Sequence, residues 1–493
     1  MNPNQLTKVT VPILIAILML PANRAVAQKK TRPARPSSTA AARSERNLPH
    51  TKLPRDPAIA EALRQISPQR IQQTIEKLVS FGTRATLAAN NPDAATSEKG
   101  IVAARKWIKS EFERYSADCG GCLEVKTDTF VEQPKARIPA PTELQNVYAI
   151  LHGTDPDQAK RIYLVTGHYD SRNSDPLNST DPAPGANDDG SGTAVSLECA
   201  RVLSKHKFPA TIIFLTVAGE EQGLNGSTHF AKMAKSEGWQ LEGVLNNDIV
   251  GGNRTPGDTQ QNENWVRVFS EGIPAAATEA DVRRIRSVGG ENDSSSRVLA
   301  RYVHEVGETY DFGQFTPKLI FRRDRYLRGG DHTAFNEQGF PAVRFTEYRE
   351  DYNHQHQNVR TENGIEYGDL PKFVDFKYVA NVAKLNAATL ASLASAPAPP
   401  AQVRLLTTQL ENDSKLAWQA AAGASAYEVL WRKTTDPEFP GENVTRTTDT
   451  KIDLQQSKDN VIFAVRSVDA KGHRSLAIIP EPERARGSAE PAR

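Results

Sequence analysis

The chain has 493 residues, and its 61 lysines and arginines against 59 aspartates and glutamates leave a formal net charge of +2. That length exceeds what a single hydrophobic core serves, so two or more folded units are expected. Near-balanced charge gives no footing for nucleic acid as a partner, and 38% hydrophobic residues lies outside the compositional range of disorder.

At the N-terminus, Lys8 precedes an apolar run from Val11 to Leu20, and Ala25-Val26-Ala27 offers small residues before Gln28. That order reads as an export signal over residues 1–27. The run is shorter than the roughly 20 residues a membrane helix needs. The expectation is a secreted or periplasmic protein with no stable membrane insertion after signal cleavage. Residues 28–56, rich in Lys, Arg, Pro, Ser and Ala, read as a disordered basic leader.

Residues 57–394 alternate helical and strand patterns. Val102, Trp107, Ile108 and Phe112 recur at helical spacing within Gly100 to Tyr115. Short β-rich runs follow at Val147 to Leu151, Ile162 to Thr166, Thr211 to Val217, Gly243 to Leu245 and Ala342 to Phe345. Helical segments at Gly192 to Ser204 and Thr228 to Ser236 lie between them, and Phe373 to Leu393 reads as a closing helix. Such alternation predicts an α/β fold of three layers around a mostly parallel sheet. Cys119 and Cys122 form a C-x-x-C that reads as a local disulfide in an oxidising compartment, with a redox pair as the alternative. Cys199, in an apolar run, reads as core.

Residues 395–401, alternating Ala and Pro, read as a stiff linker. Beyond it come short strands without helices, at Val403 to Thr407, Lys415 to Gln419, Tyr427 to Arg432 and Ile462 to Ser467. They predict a β-sandwich over residues 402–482, followed by a charged tail at 483–493.

Chemistry gathers where the predicted strands end, the edge at which open α/β sheets build their sites. The segments are His168-Tyr169-Asp170, the glycine-rich loop Gly185 to Gly192 containing Asp188-Asp189, Glu220-Glu221, Asn247-Asp248, and Tyr352 to Asn358 with His354 and His356. Each alone has an ordinary reading as a helix cap, a surface acid pair or a satisfied histidine. Delivered to one sheet edge, they form a set of imidazoles and carboxylates suited to divalent metal. Adjacent acids such as Glu220 and Glu221 would repel if buried, unless a dication lies beside them.

Together with Gly219-Glu220-Glu221-Gln222-Gly223-Leu224-Asn225-Gly226-Ser227, these segments resemble the co-catalytic zinc exopeptidases. That family includes bacterial leucyl aminopeptidases, glutamate carboxypeptidases, glutaminyl cyclases and the transferrin receptor. The resemblance spans about residues 70 to 393 and implies two zinc ions acting on peptide or protein substrates. It implies that Asp188 bridges the ions, with a cis peptide to Asp189. His168 and Asp248 would complete one site, and Glu221 with a later histidine the other. Glu220 would be the general base and Asp170 the residue orienting His168. For the later histidine the spacing to Asn358 favours His354, with His356 as the alternative. Cobalt or manganese would also suit the donors.

Tyr348 or Tyr352 is a candidate hydroxyl donor to the reacting carbonyl. The segment Gly330-Asp331-His332 resembles the family's wall beside the substrate pocket, with its histidine structural or beside the substrate. Arg322-Arg323-Asp324-Arg325 reads either as a carboxylate clamp or as a loop of surface salt bridges. The C-terminal strands, through Trp418 and Phe463-Ala464-Val465, resemble a fibronectin type III module able to bind another protein or surface. An aminopeptidase is the leading expectation, against a carboxypeptidase or a silent binding protein on the same fold.

Overall fold

Apolar runs set between polar turns become the middle of an eight-stranded sheet in the computed structural model, which describes residues 53–483 except 253, 255, 256 and 311. Residues 1–27, expected to be an export signal, residues 28–52 of the expected leader, and the expected tail beyond 483 lie outside the described residues. The strands are β1 (Leu123–Glu132), β2 (Thr142–Leu151), β3 (Arg161–His168), β4 (Thr211–Val217), β5 (Gln240–Asn247), β6 (Trp265–Ser270), β7 (Thr316–Ile320) and β8 (Ala342–Glu347). Their order is β1-β2-β4-β3-β5-β8-β6-β7. β3 pairs in parallel with β4 and β5, and β5 with β8, so the centre is a parallel sheet. β1, β2 and the β6–β8 pairing are antiparallel.

Among the described residues nine α-helices accompany the sheet: α1 (Pro57–Arg64), α2 (Pro68–Ser80), α3 (Gly100–Asp118), α4 (Gly190–Leu203), α5 (Asn225–Ser236), α6 (Glu279–Ser287), α7 (Ser295–Tyr310), α8 (His332–Glu337) and α9 (Phe376–Ser395). The larger apolar core packs α2, α3, α4, α7 and α9 against one face, through residues such as Ile75, Phe112, Val195 and Leu385. A second core packs α5 and α8 against the other face through Phe230 and Phe335. Three layers result, as expected. Among the described residues no helix is long and apolar enough to cross a membrane.

Sequence and structure differ at the margins. Leu53 to Asp56, read as the end of the leader, belong to the fold. Leu53 is buried, and the Asp56 carboxylate accepts the Ala58 amide at 2.7 Å to cap α1, whose first residue is Pro57. β1, β6 and β7 were not expected. β1 alternates its burial at the sheet edge, and β7 carries Pro317, so neither reads as an apolar run. Cys119 and Cys122 are bridged with their Cα atoms 5.6 Å apart, and Cys199 is buried.

Past a short hairpin, β9 (Arg360–Glu362) with β10 (Ile365–Tyr367), and helix α9, the chain forms two further sheets. One orders β15 (Lys451–Leu454), β12 (Ser414–Gln419), β11 (Ala401–Leu406) and β17 (Glu481–Pro482). The other orders β14 (Val444–Thr447), β13 (Ala426–Lys433) and β16 (Val461–Val468). Trp418, Val429 and Phe463 lie in their shared apolar cluster. The Ala/Pro stretch ahead of them is anchored at its start: Ala396 is buried and its carbonyl accepts Arg161 Nη1 at 3.0 Å.

Candidate functional site

His168 ends β3, Glu220 and Glu221 follow β4, and Asp248 follows β5, so three neighbouring parallel strands deliver side chains to one edge. Asp188 arrives on the loop that opens α4. That loop is held from several sides. Asp369 accepts the amides of Asn187 and Asp188, both at 2.7 Å, and buried Arg84 donates to the carbonyls of Pro184 and Gly185 at 2.6 and 2.8 Å. The Asp188–Asp189 peptide is cis. Asp189 caps α4 by accepting the Gly192 amide at 2.9 Å, and also accepts the His168 amide at 2.9 Å. Gly192 must lack a side chain, since a methyl there would lie 2.1 Å from the Asn247 carbonyl oxygen.

These loops assemble two donor groups that share Asp188. His168, Asp188 and Asp248 form one, and Asp188, Glu221 and His356 the other, each with its ligand atoms within 4.8 Å of one another. Asp188 Oδ1 is 3.1 Å from His168 Nε2, while its Oδ2 is 2.8 Å from His356 Nε2. Glu221 Oε1 lies 3.0 Å from the same His356 nitrogen. His168 Nε2, Glu221 Oε1 and His356 Nε2 are buried there without a hydrogen bond of ordinary geometry. Orphaned donors of this kind, two imidazoles among carboxylates, fit zinc.

Electrostatics agree with a cation-binding site. Burial alone would raise the Asp188 carboxyl, but the His356 and His168 rings outweigh it and hold it well below the usual range. Burial works to lower His356, yet Glu221 and Asp188 push it up to about 10. Glu220 is partly exposed, and desolvation pushes its carboxyl well above normal, with Asp248 and Glu221 acting in the same direction. Asp170 supports the arrangement from behind. His168 Nδ1 is 3.1 Å from the Asp170 carbonyl oxygen and 3.4 Å from its Oδ1, and the Asp170 carboxylate accepts the Glu220 and Glu221 amides at 3.3 and 3.2 Å.

The histidine favoured by spacing is not the one the structure brings in. The His354 ring stacks on Phe373 with centroids 3.5 Å apart, and its Nδ1 sits 3.3 Å from Asp351. His356 takes the place instead, with φ at 54°, a left-handed turn that no periodic pattern announces. Spacing to Asn358 misled because Asn358 faces elsewhere: its Oδ1 accepts the Ser174 amide at 3.1 Å.

Further groups at the site stand outside the strand-end motifs. Arg344 is fully buried, with Nη2 2.8 Å from Asp248 Oδ1 and Nη1 3.1 Å from Asp324 Oδ2. Its signal was a lone arginine inside the apolar run Ala342 to Phe345. Arg172 donates from Nε to Glu221 Oε2 at 3.0 Å and lies 2.7 Å from His356 Nδ1. Gln355 Nε2 donates to Asp188 at 3.1 Å. The arginine run is not simply solvated: Arg325 and Asp324 are largely buried, and Arg325 pairs with both Asp324 and Glu350. His332 is structural, 2.8 Å from the Arg323 carbonyl oxygen, and burial lowers it to about 4. Tyr348 packs edge-on against Trp265, and Tyr352 is 62% exposed.

Residues 146–375 match the sequence model described as Peptidase family M28. A probable zinc metalloprotease of Pyrenophora teres f. teres is 44% identical over 438 residues, covering 87% of this chain and 88% of its own. A second, from Pyricularia oryzae, is 45% identical over 437 residues, with coverage of 87% and 85%. Among solved structures, LapB from Legionella pneumophila aligns with a TM-score of 0.50 at 19% identity, over 69% of this chain and 76% of that one. That likeness is one of fold.

Proposed function

The chain belongs to peptidase family M28 and is a zinc-dependent peptidase, and from that premise we propose that it is a secreted aminopeptidase working with two zinc ions. The carrying observation is the division of Asp188, one oxygen toward His168 and the other toward His356. A carboxylate so placed serves two donor groups at once, which supports two ions: His168, Asp188 and Asp248 for one, and Asp188, Glu221 and His356 for the other. When bound, zinc would supply Lewis acidity toward a peptide carbonyl and a water of lowered pKa.

The protein's own share is proton transfer and positioning. Glu220 accepts the proton of the attacking water and returns it to the leaving amine, a role suited to a carboxylate next in sequence to the donor Glu221 that belongs to neither donor group. Asp170 fixes Glu220 through its backbone amide and steadies the His168 ring.

Amino- over carboxypeptidase action is supported by how cations and acids are distributed. The guanidiniums in contact with the donor groups, those of Arg344 and Arg172, are committed to Asp248, Asp324 and Glu221, and the uncommitted Arg322 touches no donor carboxylate. Beside Asp188, a small cleft is walled by Ile249 and Phe373 and edged by Glu347, Asp351 and Asp369. That lining holds acids and no lysine or arginine, a charge balance that favours an ammonium over a carboxylate beside Asp188. We further read residues 402–482 as a fibronectin type III-like module and 1–27 as the export signal.

The test is a panel of aminoacyl chromogenic amides, with N-blocked and free-carboxylate peptides alongside, before and after chelation. Cleavage confined to free-amino substrates, lost on chelation and restored with two zinc equivalents per chain, is the expected result. Turnover of N-blocked peptides from the C-terminus would replace the reading with a carboxypeptidase. No turnover with zinc bound would favour a silent binding protein.

A further inference from the structure

Among the described residues, large apolar side chains left exposed include Leu177 in the loop after β3, Tyr326 and Leu327 between β7 and α8, and Tyr348, Tyr352 and Val359 after β8, and Arg328 of the β7–α8 loop lies 5.8 Å over the Tyr352 ring. Exposed apolar surface gathered around a site marks a contact surface. The loop between β7 and α8 is its most prominent part. Tyr326 is 75% exposed and Leu327 91%, and Leu327 holds a φ of 56°, a left-handed conformation that leucine ordinarily avoids.

That tip stands on a fixed base. Asp324 accepts the Arg325 amide and Arg344 Nη1, and Arg344 Nη1 also donates to the Gly329 carbonyl at 2.8 Å. A methyl on Gly330 would come within 3.1 Å of Asp248 Oδ2, so the loop runs directly beside the metal-site carboxylate. Strain in a loop whose base is over-determined is a recurrent mark of function.

The loop is also cationic. Four arginines, 322, 323, 325 and 328, stand against Asp324 within seven residues. Arg323 pairs with Glu337, and Arg325 and Arg328 pair with Glu350. Arg322, by contrast, is exposed and lies over the Tyr326 ring at 5.3 Å. An open groove of about 460 Å³ runs along Arg322, Tyr326, Arg328 and Thr333.

We propose that Arg322, Tyr326 and Leu327 dock the leaving peptide of the substrate and favour acidic and aromatic side chains there. The direction rests on the aminopeptidase reading. An enzyme releasing one N-terminal residue holds that residue at the metal centre, so a surface outside the centre meets the part beyond the scissile bond. Arg322 supplies the charge complement to an acid, and Tyr326 with Leu327 the apolar platform for a ring.

The experiment compares leucine-initiated pentapeptides carrying Asp and Phe downstream with matched peptides carrying Lys and Gly. In the wild type, kcat/KM favours the acidic, aromatic peptide by about 3- to 10-fold, the range expected of exposed charge and ring contacts. Arg322→Glu reverses the charge preference, and Tyr326→Ala with Leu327→Gly removes the preference for Phe, with thermal melting confirming that both variants remain folded. Preference ratios unchanged in both variants overturn the proposal. If the wild type cleaves no free-amino substrate, the aminopeptidase reading fails by itself. Fluorescence anisotropy of a labelled, N-acetylated acidic peptide then still decides the groove: weaker binding to Arg322→Glu supports it, and equal binding overturns it.

Discussion

Arg344 Nη2 lies 2.8 Å from Asp248 Oδ1 with both side chains buried, so a donor carboxylate is held by a cation of the protein itself. The same guanidinium reaches Asp324 and the Gly329 carbonyl, tying β8, the end of β5 and the loop after β7 into one unit. Replacing it with methionine strips buried Asp248 of its guanidinium partner and leaves buried Asp324 with Arg325 alone. Breaking buried pairs this way costs about 3–5 kcal/mol, so Arg344→Met should melt far below the wild type in calorimetry and hold less zinc by elemental analysis. Wild-type melting with full zinc content would remove Arg344 from the site's support.

The two histidines of the 352–358 segment should separate sharply. His356 sits 2.8 Å from Asp188 and 3.0 Å from Glu221, so His356→Ala removes a donor and should lower bound zinc by about one equivalent. His354→Ala removes a ring stacked on Phe373, for which a loss of about 1 kcal/mol of stability and near-normal zinc content is expected. Elemental analysis after dialysis distinguishes them, and the opposite ranking would restore His354 as the ligand.

Glu220 carries the proton in the proposed reaction while contributing to neither donor group. Glu220→Gln should therefore lower kcat by about 10²–10⁴-fold while leaving zinc content and KM close to the wild type. A variant that loses zinc in parallel with activity would make Glu220 a structural member of the site.

How far these arguments could be reached without coordinates depends on the residue. The central strands were legible because burial on both faces gives β3 and β4 unbroken apolar stretches and β5 a shorter one, Gly243 to Leu245. His168, Asp188, Glu221 and Asp248 each follow such a run or its adjoining loop, so their convergence on one edge could be foreseen. His356 could not be separated from His354, because a left-handed residue in an irregular loop follows no period. Arg172, Arg344 and Asp369 act across long sequence separations, and pairwise contacts of that kind leave no local pattern.

Glu271 offers a pH test away from the metal donors. It is 5% exposed, and burial raises its carboxyl to about 7 against the favourable hydrogen bond from the Ala275 amide. Between the ordinary glutamate value near pH 4.5 and the folded value near 7, the folded state holds a proton that the unfolded state has lost. Stability from this group therefore falls as pH rises through that window and stays low above it. The full cost is on the order of 1–3 kcal/mol. Glu271→Gln retains an acceptor for the Ala275 amide and removes the titration. Its stability relative to the wild type should rise from about pH 4.5 and level off above about pH 7 when melting is followed by scanning fluorimetry. A constant difference across that range would mean that Glu271 titrates alike in both states, and that hydration reaches it despite its burial.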